Sequence, residues 1–224
     1  MLSYNAENPA RILIVDDHPI VRQGVAMLIN QEPDLRVCCE ASNAEEGRAM
    51  SLECKPHLAI VDLSLAGLSG LELIKQLRAD APDLLILMMS MHDENVYAER
   101  VLQAGAQGYL MKQETPSTML QAIRQVLNGE IYLSPSMHHT ILHRLAHHQG
   151  DNSPIRSLSS AEFEVLHLIG LGHGTSEIAR LLDRSPKTIE AHRANIKNKL
   201  NLSSGADLNR FAINWSNGLI PLQN

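Results

Sequence analysis

The sequence predicts an α/β domain on a doubly wound, five-stranded parallel sheet, followed by a smaller C-terminal all-α domain carrying a helix-turn-helix. Three observations carry this reading. Between Arg11 and Leu127 five short apolar runs alternate with five helix-like stretches, the pattern of a parallel sheet with right-handed crossovers. Pro33, Pro56, Pro82 and Pro116 fall at the junctions, where proline breaks or starts helices. Beyond residue 157 the strand pattern stops, and helical periodicity with short turns replaces it.

In order, the strands are expected at 11–16, 36–41, 57–62, 84–90 and 107–111. Runs such as ILIV and LAIV carry no polar alternation, which fits strands covered on both faces. Helices are expected near 18–31, 43–54, 69–80, 93–104 and 115–128, with Gly105 and Gly108 marking the loop before the last strand. From Gly129 the character changes: MHHTILHRLAHH and then GDNSPIRS read as a linker with one helix inside it. The predicted domains are therefore 1–128 and 157–224, joined by 129–156. In the second domain Ser159 and Glu162 form a capping box, and Gly172 and Gly174 end the helix it opens. Thr175 is expected to cap a short second helix, EIARLL, and Asp183-Arg184-Ser185 to make a tight turn. Pro186 then stands at the first position of a third helix, whose buried stripe is Ile189, Ile196 and Leu200, and a last helix covers about 204–216.

The 224 residues suffice for two compact domains, and 44% hydrophobic content supplies their cores. The net charge of −6 is uneven: residues 1–149 carry 11 Lys+Arg against 18 Asp+Glu, a net of −7, and residues 150–224 carry 8 against 7, a net of +1. The asymmetry suggests different partners for the two halves without naming either. Cys38, Cys39 and Cys54 are odd in number and lack CxxC spacing, so neither a disulfide framework nor a zinc site is expected. Cys38 and Cys39 read as core residues of a strand. Met1 to Pro9 is polar, and the longest apolar run, Leu84 to Met89, is far below the length needed to cross a bilayer. The expectation is a cytoplasmic protein with no membrane partner.

Three of the predicted strands end on chemistry. Asp16 and Asp17 follow ILIV, Asp62 follows LAIV, and Lys112 follows YLM. In a parallel α/β sheet the carboxyl ends of the strands share one edge, where ligands bind. Mg²⁺ takes one or two carboxylates together with waters and phosphate oxygens, so Asp16, Asp17, Asp62 and the backbone carbonyl of Ser64 form a candidate metal site. A carboxylate beside the metal can attack phosphorus, and Lys112 can neutralise the transferring phosphoryl oxygens. Ser90 ends LLILMMS and offers a hydroxyl on the same edge. Taken singly, Asp17 is as readily the cap of a helix opening at Pro19, and Lys112 an ordinary surface lysine. The joint placement at one sheet edge is what favours a site.

The third helix of the second domain is locally basic: Arg184, Lys187, Arg193, Lys197 and Lys199 stand against Glu190. In a helix-turn-helix that helix enters the major groove of double-stranded DNA, although charge runs alone are commonly just solvated faces. Lys187, Thr188 and Lys199 are assigned to phosphates, Glu190, Ala191, Arg193 and Ala194 to the base-facing side, and His192 and Lys197 to the DNA-binding set of the same helix. Glu190 can accept from cytosine N4 or orient Arg193. In the linker His139, His143 and His147 are spaced to share a helix face, with His138 and His148 beside them. The simpler reading there is a polar face over Ile141, Leu142 and Leu145 rather than a metal site.

ILIVDDHPIVRQG, VDLSLAGLSGLEL, MMSMHDE and AGAQGYLMK closely resemble, in order and spacing, the receiver domain of bacterial two-component response regulators, over residues 11–128. The resemblance implies a flavodoxin-like sheet, Asp62 as the phospho-acceptor, Asp16 and Asp17 as the acidic metal pair, Lys112 as the phosphate lysine, and Ser90 and Tyr109 as the switch pair. It also implies Mg²⁺ as cofactor and a sensor histidine kinase as partner. Ala66 and Ser69 depart from the family's usual proline and Asn or Asp. Residues 155–217 resemble the LuxR-type helix-turn-helix of the NarL/FixJ class, through Glu164-Val165-Leu166, Glu177-Ile178-Ala179, Lys187-Thr188 and Lys199-Leu200; Ala161, Ser176 and Glu190 depart from it. The implied protein is no enzyme but a homodimeric transcription regulator switched by phosphorylation, with the last helix supplying a dimer surface. Two rivals remain at this point. A haloacid-dehalogenase-like phosphatase needs a second aspartate where Ser64 stands, and a phosphorylation-independent DNA-binding protein with a vestigial receiver is harder to square with an intact acidic set.

Overall fold

The structure, a computed structural model, describes residues 4–65, 69–146 and 154–216. By its contacts the chain divides into two units, Met1–Leu142 and His143–Asn224.

The first unit holds strands β1 (Ala10–Val15), β2 (Leu35–Ala41), β3 (Leu58–Asp62), β4 (Leu85–Ser90) and β5 (Gly108–Met111). Helices α1 (Pro19–Asn30), α2 (Ala44–Cys54), α3 (Gly70–Asp80), α4 (Glu94–Gln103) and α5 (Pro116–Leu127) alternate with them. All strand pairs are parallel, in the order β2-β1-β3-β4-β5. The chain runs outward from β1 to β2 and then returns to the other side of β1 with β3. That reversal opens the crevice in which doubly wound sheets bind ligands.

Apolar residues fill both faces of the sheet. Ile12, Ile14, Leu58, Ile60, Leu87 and Met89 share one cluster with Ile29 of α1 and Met119, Ile123 and Val126 of α5, while α2, α3 and α4 pack on the other side. Each of these larger side chains contributes about 1.5–3 kcal/mol by leaving water. Local chemistry sets the helix starts: Asn43, Asp93 and Thr115 accept from the first-turn N–H groups of α2, α4 and α5. Asp17 does not cap α1; His18 holds that position, with no side-chain cap bond.

The predicted linker begins later than its composition suggested. Tyr132 lies along β5 as an added bridge to Gly108, with Tyr132 N donating to Gln107 O (2.9 Å) and Tyr109 N to Tyr132 O (3.0 Å). A Cβ on Gly108 would come within 2.9 Å of both Tyr132 O and a Leu87 methyl; the glycine is there to admit this segment, not to make a loop. Tyr132, Leu133 and Met137 are buried. Helix α6 (Pro135–Ala146) therefore starts anchored on the first unit, and the division falls within it.

The cysteines depart from expectation most. Cys38, Cys39 and Cys54 are half-buried rather than core, and Cys39 of β2 and Cys54 at the end of α2 form a disulfide, with Cα atoms 6.6 Å apart, inside the bridging range. Spacing and inferred compartment could not reveal that the end of α2 lies against β2 at Cys39.

The second unit holds a 3-10 turn (Pro154–Ser157) and helices α7 (Ser160–Gly170), α8 (Thr175–Leu181), α9 (Pro186–Lys199) and α10 (Gly205–Ser216). The capping box of Ser159 and Glu162 is present. Thr175 is not a cap: Gly174 holds that position, and Thr175 is the first helical residue. Asp183, at φ 48°, makes the turn into α9, and Ile189, Ile196 and Leu200 are buried as the periodicity required. Trp215 of α10 meets Phe163 of α7 edge-on at 5.3 Å.

Candidate functional site

β1, β3, β4 and β5 deliver the predicted residues to one sheet edge. Asp16 and Asp17 follow β1 directly, Asp62 and Ser90 are the last residues of β3 and β4, and Lys112 follows β5. The backbone holds this edge rigidly: Lys112 N donates to Ser90 O (2.8 Å) and Asp16 N to Ala41 O (3.1 Å). Gly70 opens α3 against the Asp62 backbone, where a Cβ would overlap the Asp62 carbonyl oxygen. A side chain at 70 would displace the strand end that carries the acceptor.

Lys112 Nζ donates to Asp62 Oδ2 (2.8 Å) and lies 2.7 Å from Asp16 Oδ2. Asp16 is fully buried and Asp62 nearly so. Burial pushes the Asp62 carboxyl above its ordinary range, and the bond to Lys112 offsets only part of that. Burial works against the Lys112 ammonium, yet its bonds to Asp16 and Asp62 outweigh this and hold it above the ordinary lysine range. Ser64 N donates to Asp62 Oδ1 (3.2 Å) and His18 N to Asp16 Oδ1 (2.8 Å).

The donor set fits a hard divalent cation. Carboxylate oxygens of Asp16, Asp17 and Asp62 and a nitrogen of His18 all lie within 4.8 Å of one another. Asp16 Oδ2 and Asp17 Oδ1 are buried and lack a hydrogen-bond donor in good geometry, although Lys112 and His18 Nδ1 approach them at 2.7 Å. His18 was not singled out from the sequence; its place directly after the acid pair was the available signal.

Beside this cluster runs a hydrogen-bonded path that the sequence did not disclose. Ser90 Oγ accepts from His92 N (3.0 Å), and His92 Nε2 meets Ser64 Oγ (2.8 Å). Tyr109 Oη donates to His92 O (2.8 Å). Burial, with the nearby Lys112 charge, lowers the His92 imidazole, and burial pushes the Tyr109 phenol up. Tyr109, the aromatic member of the expected switch pair, is buried, at 1% exposure. Glu94 of α4 is also buried, and its Oε1 accepts from Ser134 N (2.8 Å) at the head of α6. Ser69 opens α3 without a side-chain cap bond; Ala66 lies outside the described residues.

On α9 Lys187, Glu190, Ala191 and Ala194 are exposed, and Thr188, His192, Arg193 and Lys197 are half-buried. Glu190 Oε1 accepts from Thr175 Oγ1 (2.7 Å) rather than orienting Arg193, which donates to Asn209 (2.9 Å). Lys199 Nζ donates to the buried Glu162 (2.7 Å), so the ammonium assigned to phosphate has a structural partner. Of the linker histidines, His138 and His139 are exposed. The side chain of His143, and His147 and His148 entirely, lie outside the described residues. Among the described residues no helix is long and apolar enough to cross a membrane.

Comparison with known proteins agrees with this geometry. Residues 12–124 match the family described as "Response regulator receiver domain", and residues 156–212 match "Bacterial regulatory proteins, luxR family". The oxygen regulatory protein NreC of Staphylococcus carnosus is 36% identical over 209 residues, covering 91% of this chain and 96% of that protein. A nitrate/nitrite response regulator protein homolog of Haemophilus influenzae is 34% identical, covering 88% and 93%. Among solved structures, RcsB from Salmonella enterica serovar Typhimurium, bound to promoter rprA with the phosphomimetic BeF3-, superposes with a TM-score of 0.61. It shares 27% identity over 92% of this chain and 99% of that one.

Proposed function

The chain belongs to the response regulators with a LuxR-type DNA-binding domain, and from that premise we propose that it is a transcription regulator switched by Mg²⁺-dependent phosphorylation of Asp62 by a sensor histidine kinase. The observation that carries this reading is the meeting of Asp16, Asp17, Asp62 and Lys112 at the sheet's switch point, on the same chain as a basic helix-turn-helix. An Asp62 oxygen attacks the phosphorus of a phosphohistidine, the P–N bond breaks, and the histidine nitrogen takes a proton. Asp16, Asp17, Asp62 and the Ser64 carbonyl would hold Mg²⁺, which when bound offsets negative charge on the phosphoryl oxygens. Lys112 stands 2.8 Å from the acceptor carboxylate and neutralises a further oxygen.

Phosphorylation replaces one carboxylate charge by a dianion, which draws Lys112 and the Ser90 hydroxyl toward it. Both hold backbone or side-chain bonds in the 90–94 segment, so the change biases a two-state loop. Dimers then read two half-sites in double-stranded DNA through α9. The relatives support this reading: the RcsB structure contains promoter DNA and a phosphomimetic. The protein is not an enzyme in the usual sense, since the phosphoryl group ends on its own side chain.

The test pairs two readouts. A small phosphodonor with Mg²⁺ is expected to label the wild type but not Asp62→Asn, and labelling is expected to tighten mobility shifts on DNA fragments selected with the phosphorylated protein. Persistent labelling of Asp62→Asn removes the acceptor assignment. Equal DNA affinity with and without phosphodonor instead favours the phosphorylation-independent regulator.

A further inference from the structure

Adjacent residues of a strand ordinarily point to opposite faces of the sheet, yet Cys38 and Cys39 bring their sulfurs together with that of Cys54, all within 4.8 Å of one another. The pairing of β2 with β1 explains this. Ile12 stands opposite Val37 and Leu13 opposite Cys39, which leaves Cys38 as an extra residue in a bulge. A bulge re-aims a side chain in this way. Cys54 arrives from the last turn of α2, which Lys55 terminates at φ 46°.

We propose that, once reduced, Cys38, Cys39 and Cys54 form a three-thiolate site for a soft monovalent cation, Cu(I), and that the Cys39–Cys54 disulfide closes it. The donor set selects the metal class. Thiolates prefer soft ions, and hard cations prefer oxygen. Zn²⁺ in structural sites takes four ligands, whereas among the described residues no fourth His, Cys, Asp or Glu joins this group. Three thiolates are a complete shell for Cu(I). Metal–sulfur bonds of about 2.3 Å place the sulfurs of one ion roughly 4 Å apart, so reduction must let the bonded Cys39 and Cys54 sulfurs part, while the group as a whole already fits within 4.8 Å. Arg11 supplies counter-charge: its guanidinium donates to the Lys55 carbonyl beside Cys54 and acts electrostatically on Cys38. Two backbone carbonyls also approach the sulfurs: Cys38 Sγ lies 3.4 Å from Ile12 O and Cys54 Sγ 4.0 Å from Cys38 O.

The two states exclude each other because they use the same sulfurs. A dithiol reductant opens the bridge by giving two electrons and two protons to Cys39 and Cys54, and itself becomes a cyclic disulfide. Cu(I) then displaces the thiol protons to solvent as three Cu–S bonds form.

Full-length protein, reduced with a dithiol and desalted without oxygen, is titrated with Cu(I) against a chromogenic Cu(I) chelator. The reduced wild type is expected to withhold one equivalent with a sulfur-to-copper ultraviolet band. The disulfide form is expected to withhold none until reduced again, an arm that needs no substitution. Cys38→Ser, outside the disulfide, is expected to lose more than about tenfold in affinity with an unchanged circular dichroism spectrum. Equal retention by the oxidised protein or by Cys38→Ser overturns the site. Zn²⁺ held as firmly as Cu(I) overturns the assignment to a soft monovalent ion. Phosphodonor labelling of Asp62 is measured on the same samples, so that failure here is distinct from failure of the switch.

Discussion

Replacing Lys112 by methionine tests the charge arrangement at the sheet edge without disturbing its shape. Methionine keeps most of the lysine stem but removes the ammonium, whose partners are side chains 0% and 3% exposed. Two buried carboxylates are then left facing one another. Removing one partner of a buried ion pair costs about 3–5 kcal/mol, and protonation of one carboxylate limits the loss, so about 3 kcal/mol is expected at neutral pH. With a urea slope of about 1.5 kcal/mol/M for a domain of this size, the midpoint falls by roughly 2 M. The pH dependence identifies the cause. Asp62 already titrates above its ordinary range in the fold, and loss of Lys112 moves it further up. A carboxyl raised in the folded state binds more protons there than in the unfolded chain, so stability rises as pH falls through the folded value. The deficit of Lys112→Met must therefore shrink toward acid. Far-UV circular dichroism follows the helices of both units, and fluorescence of Trp215, the single tryptophan, packed on Phe163 in the second unit, reports that unit alone, so a transition seen by dichroism and not by fluorescence belongs to the first. Added Mg²⁺ is expected to restore the variant more than the wild type. A deficit that is absent at neutral pH, or constant across pH, refutes this account of the site.

Three further outcomes follow from particular contacts. Arg124 binds Asp34 through two hydrogen bonds (2.9 and 2.7 Å) and also contacts Glu32. The Arg124 hydrogen bond depresses the Asp34 carboxyl, so its stabilisation is present above the unfolded value and is lost as pH falls through the folded one. Arg124→Met is expected to cost about 1 kcal/mol at neutral pH, discounted for partial exposure, and nothing once Asp34 is protonated in both states; parallel urea curves at two pH values decide it. Gly70→Ala is expected to cost about 1–3 kcal/mol and to slow phosphodonor labelling, because the added Cβ meets backbone atoms of Asp62 and Leu63 that cannot swing aside; unchanged labelling would show that the strand end tolerates the shift. Glu94→Ala leaves the Ser134 N–H without its acceptor, a local loss of about 1–3 kcal/mol. Amide exchange at 132–134 is expected to accelerate about tenfold or more, with Glu94→Gln close to wild type.

The sheet and its site were legible because both are written locally. LAIV and Asp62 are consecutive, so a buried strand and its terminal carboxylate follow from one short window, and parallel connections then bring Asp16, Asp62 and Lys112 to one edge whatever the helices contain. The same holds for the stripe Ile189, Ile196 and Leu200, which periodicity alone exposes. The misread features depend on register or on contacts distant in sequence. The Cys38 bulge requires knowing which residue of β1 faces which of β2. The bond from Lys199 to Glu162 was hidden likewise, since the two stand 37 positions apart. Thr175 looked like a cap because the acceptor its hydroxyl binds, Glu190, belongs to the next helix, 15 positions on. Gly108, read as punctuation, is a packing residue whose reason is Tyr132.

Those long-range contacts also bear on how a local charge change leaves the site. β5 carries Lys112 just past one end and, along its edge, the segment that leads into α6. The same segment is held at Ser134 by Glu94, which opens α4 four residues after Ser90. Tyr109 touches both sides of this arrangement: its hydroxyl binds His92 O, and its backbone N–H binds Tyr132 O. A loop 90–94 redrawn around a phosphoryl group therefore has two courses. It can keep these bonds and carry the head of α6 with it, or it can break the Glu94–Ser134 bond and leave a buried carboxylate and a half-buried N–H without each other. Each unsatisfied group costs about 1–3 kcal/mol, and more where it is charged, so the coupled movement is the cheaper one. The head of α6 is thus tied to the 90–94 segment by hydrogen bonds within the first unit.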